Sequence, residues 1–464
     1  MAKKRFDDTG VLILAAGLGT RMKSELPKVL HQAGGRPLLA HVMRAADALS
    51  PAGMCVVAGH KAQLVRAEIA ANAAKWGVKS GCEIIEQKEL TGSGTAVKEA
   101  RAFIKKFSRV LILCGDAPLL RPASLSGMAG LGGSVVVLSA DVPDPGGYGR
   151  IVRKQNGDVE KIVEEANASP EIAAITEINS GIYLFESAAL LAALPKLRPN
   201  PPKNEYYLTD AVELIAASGG RVRASRAADY TETMGINSRR QLADADKLLR
   251  ARKADELMDC GVTIYDPGAV CIDDSVSVGA DTVIYPGTHI YGDTVIGKGC
   301  EIGPFAVIKD SRAGEGCKIL SGSLVYESEL ARGCTIGPYA RIRPGCRLEA
   351  NAKAGNFCEL KAAKIGEGSK VPHLSYVGDA EIGARVNIGA GTITCNYDGV
   401  KKHRTVIGDG AFIGSNVNLV APVEVGRGAK IGAGSTITED VPADALAIAR
   451  ARQIVKQKTP AKAR

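Results

Sequence analysis

The stretch IYPGTHIYGDTVIGKGCEIGPFAVI, residues 284–308, places an isoleucine at every sixth position: Ile284, Ile290, Ile296, Ile302 and Ile308. The same spacing begins at Ile272 and Val278. It resumes at Ile336, Ile342 and Leu348, and again at Ile407, Ile413, Leu419, Val425, Ile431 and Ile437. Glycine often comes next, as in Ile296-Gly297, Ile302-Gly303 and Ile413-Gly414. Hexapeptide periodicity over this length is the signature of a β-helix, in which short strands stack into coils and bury one aliphatic each. Cys300, Cys334, Cys346 and Cys358 lie four residues after repeat-start positions and are expected as small buried fillers. The period breaks at TCNYDGVKKHRT, residues 394–405, so a loop leaves the coil there and carries Asn396, Tyr397 and a basic cluster.

Upstream, SRRQLADADKLLRARKADELMDCG (238–261) reads as one helix, with leucines among charges and Gly261 as its stop. Before it the pattern changes again. VLILAAG, MCVVAGH, CEIIEQ, RVLILCGD, SVVVLSA and GIYLFES are apolar runs separated by amphipathic stretches. Such runs predict a mostly parallel sheet covered on both faces by helices, with ligands at the carboxyl ends of the strands. The expected division is residues 1–238, a linker helix over 239–260, and a β-helix with a basic tail over 261–464. A length of 464 residues agrees with two or three domains.

Composition narrows the functions. The formal charge is +9 and the pI about 8.9, which favours anionic partners, phosphorylated substrates among them. No stretch is apolar enough to cross a bilayer, and MAKKRFDDTG has no hydrophobic region of signal-peptide length. The eleven cysteines contain no C-x-x-C pair, which points away from a zinc site and towards a reducing compartment, the cytoplasm. With 53 glycines against one tryptophan and seven phenylalanines, the core must be filled by small and β-branched groups.

The first apolar run enters a glycine loop, VLILAAGLGTRMKSELPKVL (11–30). It lacks the third glycine of a dinucleotide fingerprint and the Gly-Lys-Ser/Thr of a Walker loop. Backbone N–H groups from Leu14 through Ala15, Ala16 and Gly17 to Gly19 can still approach a phosphate, and Arg21 and Lys28 add positive charge. LILCGDAP ends a buried strand on Asp116, a carboxylate suited to Mg²⁺, or alternatively to a turn cap. Together these fit nucleotidyl transfer, where the attacking phosphate is already ionised and catalysis is mostly positioning and charge neutralisation. In the β-helix, His373 stands in VPHLSYVGDAEIGARVNIGAGTITCNYDG with Tyr376, Asn387, Asn396 and Tyr397 around it and basic residues before it. A base, oxyanion donors and phosphate-binding cations are what acyl transfer from a thioester to an amine requires. From charge and spacing, Glu359 is a candidate to orient His373.

LAAGLGTRMKSELPKVL resembles the sugar-nucleotidyltransferase signature L-A-A-G-x-G-T-R-M followed by P-K. With a hexapeptide β-helix behind it, the chain from about residue 10 to 452 resembles the bacterial bifunctional N-acetylglucosamine-1-phosphate uridylyltransferase/glucosamine-1-phosphate acetyltransferases. The resemblance implies that Leu14, Ala15, Ala16 and Gly17 contact the uridine nucleotide while Arg21 and Lys28 neutralise the triphosphate. Gln87, Gly92 and Ser93 would read uracil, beside Cys114 and Gly115. Asp116 and Asn237 would hold Mg²⁺, and Gly149, Glu164 and Asn179 would line the amino-sugar pocket, near EYYLTD (205–210). It further implies His373 as general base, Arg343 and Lys361 on the sugar phosphate, and Tyr376 and Asn387 on the sugar. Acetyl-CoA would touch Ala390, Asn396, Tyr397, Ser415, Ala433 and Arg450. A left-handed coil, a homotrimer with acetyltransferase sites between neighbouring β-helices, and UTP as co-substrate belong to the same implication. The chain departs from the family's usual G-T-G-H-A and Tyr-Gly-Asp at Gly92-Ser93-Gly94-Thr95-Ala96 and Cys114-Gly115-Asp116. Two other readings compete: a nucleotidyltransferase for another sugar whose β-helix only assembles, and a non-catalytic assembly subunit. His373 with its loop speaks against the first, and Arg21, Lys28 and Asp116 against the second. The tail ARQIVKQKTPAKAR reads as basic and disordered, and nothing in its sequence supports a role on nucleic acid or a membrane.

Overall fold

The apolar runs of the first half become strands, seen in a computed structural model that describes residues 6–200 and 204–457. In spatial order they are Val222–Arg226, Val135–Asp141, Glu177–Glu186, Arg109–Cys114, Thr9–Ala15, Gly53–Ala58 and Cys82–Glu86. Thr9–Ala15 is parallel to both its neighbours, and Gly53–Ala58 to Cys82–Glu86. Glu177–Glu186, which contains the GIYLFE run, is antiparallel to the strands on either side. A hairpin of Arg150–Arg153 and Val159–Val163 extends from it. Successive side chains of a strand point to opposite faces, and both faces here are buried. Val11 and Ile13 join one apolar cluster, with Leu39, Val42 and Met43 of the Leu38–Asp47 helix. Leu12 joins the other, with Phe103, Ile112 and Phe185.

The second half forms three sheets of eleven, ten and nine strands, every pair parallel. Most strands have only two or three residues, and most send one aliphatic inward: Ile284, Ile290, Ile302, Ile336 and Ile413 have no more than 1 % exposure. The hexapeptide period is visible because one residue in six is buried this way. It slips because many coils are one residue short of three hexapeptides. Ile302 pairs with Ile319 and Ile319 with Ile336, steps of seventeen residues. The expected cysteine fillers Cys300, Cys334, Cys346 and Cys358 are buried, and Cys317 joins Cys300 and Cys334 in one column. All eleven cysteines are free thiols. One corner of the coil carries Phe305, Tyr339, Phe357 and Leu374, all exposed and all at positive φ (59°, 54°, 55° and 49°). His373 therefore sits where the chain turns sharply.

The helix Arg239–Asp259 spans the boundary between the two compact units, Met1–Leu249 and Arg250–Arg464. Its first half packs Ala245, with Leu242, Leu248 and Leu249, against Ala33, Leu38, Leu119 and Ile236. Its second half gives Ala254 and Leu257 to the β-helix core. Gly261 (φ 89°) stops it: the Val262 N–H donates to Leu257 O at 3.0 Å and the Gly261 N–H to Met258 O at 2.9 Å, the paired bonds of a Schellman motif. Among the described residues no helix is long and apolar enough to cross a membrane. In the tail, 451–457 are exposed without helix or strand, and 458–464 lie outside the described residues.

Candidate active sites

At the carboxyl end of Thr9–Ala15 the chain passes from the half-buried Leu14 through buried Ala15 and Ala16 to exposed Gly17, around which space is open. Gly19 has φ 62°, and a Cβ there would stand 2.8 Å from Lys28 Cβ. Glycine thus lets Lys28 fold back across the loop. The Lys28 ammonium, 12 % exposed, forms an ion pair with Asp116 and donates to Asn237 Oδ1 at 2.9 Å. Backbone bonds fix both acceptors: the Gly115 N–H donates to Leu14 O and the Ile236 N–H to Asp116 O, each at 2.9 Å. The Asn237 N–H donates to Gln241 Oε1 at 2.8 Å. Three residues from distant parts of the sequence thus meet at one point. Arg21 is exposed and forms no ion pair among the described residues.

Two further groups flank this point. Buried Gln87 donates its amide to Glu89 O (2.8 Å) and Gly92 O (3.3 Å), which shapes the TGSGTA turn. Gly92 has φ 112°, and a Cβ there would lie 2.5 Å from Tyr206 O, so the turn and EYYLTD touch through backbone. Ser93 Oγ accepts the Leu208 N–H at 3.0 Å and Thr91 O accepts the Tyr206 N–H at 2.8 Å. In the other group, Gly149 O accepts the Asn179 N–H at 2.8 Å and Glu164 accepts the Thr209 hydroxyl at 3.2 Å. Burial pushes the Glu164 carboxyl above its usual range, against the Thr209 hydrogen bond. The Asn179 amide is engaged by its own strand, donating to Tyr183 Oη (2.8 Å) and accepting from the Gly181 N–H (3.1 Å). Cys114 points its thiol at Gly181 O (3.4 Å), and burial raises its pKa to about 12, which keeps it neutral.

In the β-helix, residues alternate in and out along the ten-stranded sheet, with Leu360 and Val377 buried and Glu359, Lys361 and Tyr376 outward. Lys361 Nζ is 3.8 Å from Asp379 Oδ2, and Asp379 also accepts the Asn396 amide. Asn396 Nδ2 is 3.5 Å from Tyr376 Oη. The neighbouring Lys361 ammonium pushes Lys402 below the usual lysine range, so two cations stand side by side. The loop is pinned by Asp398, which accepts N–H bonds from Lys401 and Val400 and a bond from His403; these hold its carboxyl well below the ordinary range.

His373 ends the strand Lys370–His373, exposed at the corner that carries Leu374, and its Nδ1 is 2.6 Å from Asn356 Oδ1. Asn387 lies on the next strand of that sheet, paired with Lys370. The same corner continues over later coils: His373 O accepts the Gly391 N–H, Ala390 O the Asn416 N–H, Ser415 O the Gly434 N–H, and Ala433 O the Arg450 guanidinium at 2.8 Å. Ala390, Ser415, Ala433 and Arg450 therefore form one column leading from His373. Asn396 and Tyr397 are not in it. Asn396 belongs to the cation cluster, and exposed Tyr397 donates its hydroxyl to Gly399 O within the loop.

One expectation needs correction. Glu359 does not orient His373; it accepts from Arg343 at 2.8 Å. Sequence spacing misleads here because Glu359 and His373 lie on different sheets, whereas Asn356 is His373's register partner one coil earlier. Sequence reading also passed over Thr209 and Lys402. Thr209 lies in EYYLTD and Lys402 in the 394–405 loop, and only the folded chain shows Thr209 meeting Glu164 and Lys402 standing beside Lys361.

The MobA-like NTP transferase domain model matches residues 11–200, and the bacterial transferase hexapeptide model (six repeats) matches 275–310 and 404–439. The chain is 49 % identical over 454 residues to the bifunctional protein GlmU of Heliobacterium modesticaldum, covering 96 % of each chain. It is 46 % identical over 449 residues to the bifunctional protein GlmU of Thermotoga maritima, covering 96 % of this chain and 97 % of the relative. A solved UDP-glucose pyrophosphorylase complexed with UDP-glucose aligns with 52 % of this chain and 97 % of its own, at 20 % identity and a TM-score of 0.43. With both halves matched in order and nearly the whole length covered, the chain belongs to the GlmU family of bifunctional proteins.

Proposed function

We propose that this protein acetylates glucosamine-1-phosphate from acetyl-CoA and then transfers a uridylyl group from UTP to the product, releasing pyrophosphate and UDP-N-acetylglucosamine, a precursor of cell-wall polymers. One observation carries the reading. A single chain of this family holds two separate polar centres, each in its own compact unit and each suited to one of the two steps. Residues 1–238 serve uridylyl transfer, the helix 239–260 connects, and 261–464 serves acetyl transfer, in a cytoplasmic homotrimer.

For uridylyl transfer, the loop from Leu14 to Gly17 receives the nucleotide, Gln87, Gly92 and Ser93 border the base, and Gly149, Glu164 and Asn179 border the sugar. Lys28 and Arg21 offset charge on the phosphates as the sugar phosphate attacks in line. Asp116 and Asn237 already turn two oxygens toward one cation, the Lys28 ammonium. Among the described residues no cluster of three or more His, Cys, Asp or Glu forms a metal cage. Two protein oxygens with the remaining positions left to phosphate suit Mg²⁺, which when bound would offset the charge of the triphosphate. For acetyl transfer, Arg343 and Lys361 hold the phosphate, with Lys402 beside them, and Tyr376 and Asn387 place the sugar. His373 takes a proton from the attacking amine as the nitrogen adds to the thioester carbonyl. CoA leaves as the amide forms. The Ala390–Ser415–Ala433–Arg450 column guides the CoA.

A drop-out assay tests this. With glucosamine-1-phosphate, acetyl-CoA, UTP and Mg²⁺ all present, UDP-N-acetylglucosamine accumulates; without acetyl-CoA nothing does, and without UTP only N-acetylglucosamine-1-phosphate appears. Uridylylated product formed from glucosamine-1-phosphate at an equal rate without acetyl-CoA would overturn the reading.

A further inference from the structure

We propose that Asn356 is the positioning residue for His373: its side-chain oxygen holds the proton on Nδ1 and leaves the Nε2 lone pair facing the substrate. This rests on the reading of His373 as the base. An imidazole can act as base only through the nitrogen that carries no proton, so whatever binds one nitrogen decides the use of the other. Here Nδ1 is 2.6 Å from Asn356 Oδ1, an acceptor, so Nδ1 is the donor and Nε2 carries the lone pair.

The local sequence builds this pair. Asn356 and His373 are register partners on adjacent coils. A Cβ on Gly355 would fall 2.0 Å from Pro372 O, so only glycine lets the two strands approach this closely. The His373 backbone is fixed by its own carbonyl, which accepts the Ser375 hydroxyl at 2.8 Å, and by the Leu374 N–H, which donates to Asn356 O at 3.1 Å. The titratable and charged side chains on the elements around the ring are Lys353 and Lys370 on its own sheet, and Arg341, Glu359, Lys361 and Tyr376 on the next. None has a hydrogen bond or ion pair with the imidazole among the described residues, and Glu359 is held by Arg343. The orienting partner is thus a neutral amide. It fixes the tautomer without adding a negative charge that would favour the imidazolium.

The test uses the full chain with Asn356→Leu, Asn356→Asp and His373→Ala, measuring acetyl and uridylyl transfer separately across pH. Asn356→Leu should lower kcat for acetyl transfer about ten- to a hundredfold, part of the 10²–10⁴ that a general base contributes. KM for glucosamine-1-phosphate and the uridylyl rate should stay the same. Asn356→Asp keeps the acceptor and adds a charge, so it should recover most of the rate while the acid limb of its profile moves up by about one pH unit. With ¹⁵N-labelled histidine, the resonance missing in His373→Ala should report protonated Nδ1 in the wild type and a shift toward protonated Nε2 in Asn356→Leu. Should Asn356→Leu acetylate at the wild-type rate, or the acid limb of Asn356→Asp stay in place, the proposal is overturned while the base assignment stands. If His373→Ala itself keeps its rate, the underlying reading is wrong.

Discussion

Glu177→Gln should destabilise the N-terminal unit by about 3 kcal/mol at neutral pH, and the effect should disappear in acid. Glu177 is 4 % exposed and begins the strand that carries Asn179. Burial alone would raise its pKa. Hydrogen bonds from Arg153 (2.7 and 2.6 Å), Arg226 (3.0 Å) and the Ser139 hydroxyl (2.6 Å) outweigh that and bring it from 4.5 to about 2. At 1.36 kcal/mol per pKa unit, the depression corresponds to about 3 kcal/mol. Because the folded pKa is the lower one, this stability is fully present above about pH 4.5 and is lost as pH falls towards 2. Glutamine carries no charge, so its curve lacks that slope. Trp76, the single tryptophan and buried in this unit, makes its fluorescence in urea a report on this unit alone. A stability gap between wild type and variant that is the same at pH 7 and at about pH 3, or absent at both, would rule out this role for the Glu177 charge.

Gly92→Ala should damage uridylyl transfer and leave acetyl transfer unchanged, because the new Cβ would lie 2.5 Å from Tyr206 O at a φ of 112°; steady-state rates of the two reactions decide it. Lys361→Ala should raise KM for glucosamine-1-phosphate more than it lowers kcat, since it removes a phosphate contact and not the base; a variant that loses kcat at unchanged KM would contradict this. Gly261→Ala should cost about 1 kcal/mol of stability in thermal unfolding, from a left-handed helix stop that alanine adopts poorly.

Much of the fold was legible because burial repeats. Ile284 to Ile308 announce a β-helix since each coil buries the same positions, and VLILAAG announces a strand buried on both faces. The seventeen-residue coils were not legible. Once a coil loses one residue at a corner, Ala313 and Leu330 take the inward position without an isoleucine to mark it. Lys28, Asp116 and Asn237 could be named from motifs, but only the fold shows their side chains sharing one hydrogen-bonded point. The sequence singles out His373 by its company, but the residue that meets its Nδ1, Asn356, was not legible. A carboxylate at Glu359 looks like an orienting group on paper. The amide that does the orienting is set by coil register, which no local pattern encodes.

If two chemistries reside in separate units of one chain, the pair of activities in His373→Ala and Asp116→Ala separates them. His373→Ala is expected to lose acetyl transfer by about 10²- to 10⁴-fold, with KM little changed, and to keep uridylyl transfer from N-acetylglucosamine-1-phosphate. Asp116→Ala is expected to do the reverse. Equal loss of both activities in either folded variant, or acetyl transfer by His373→Ala near the wild-type rate at pH 7, would contradict this division of labour between the two units.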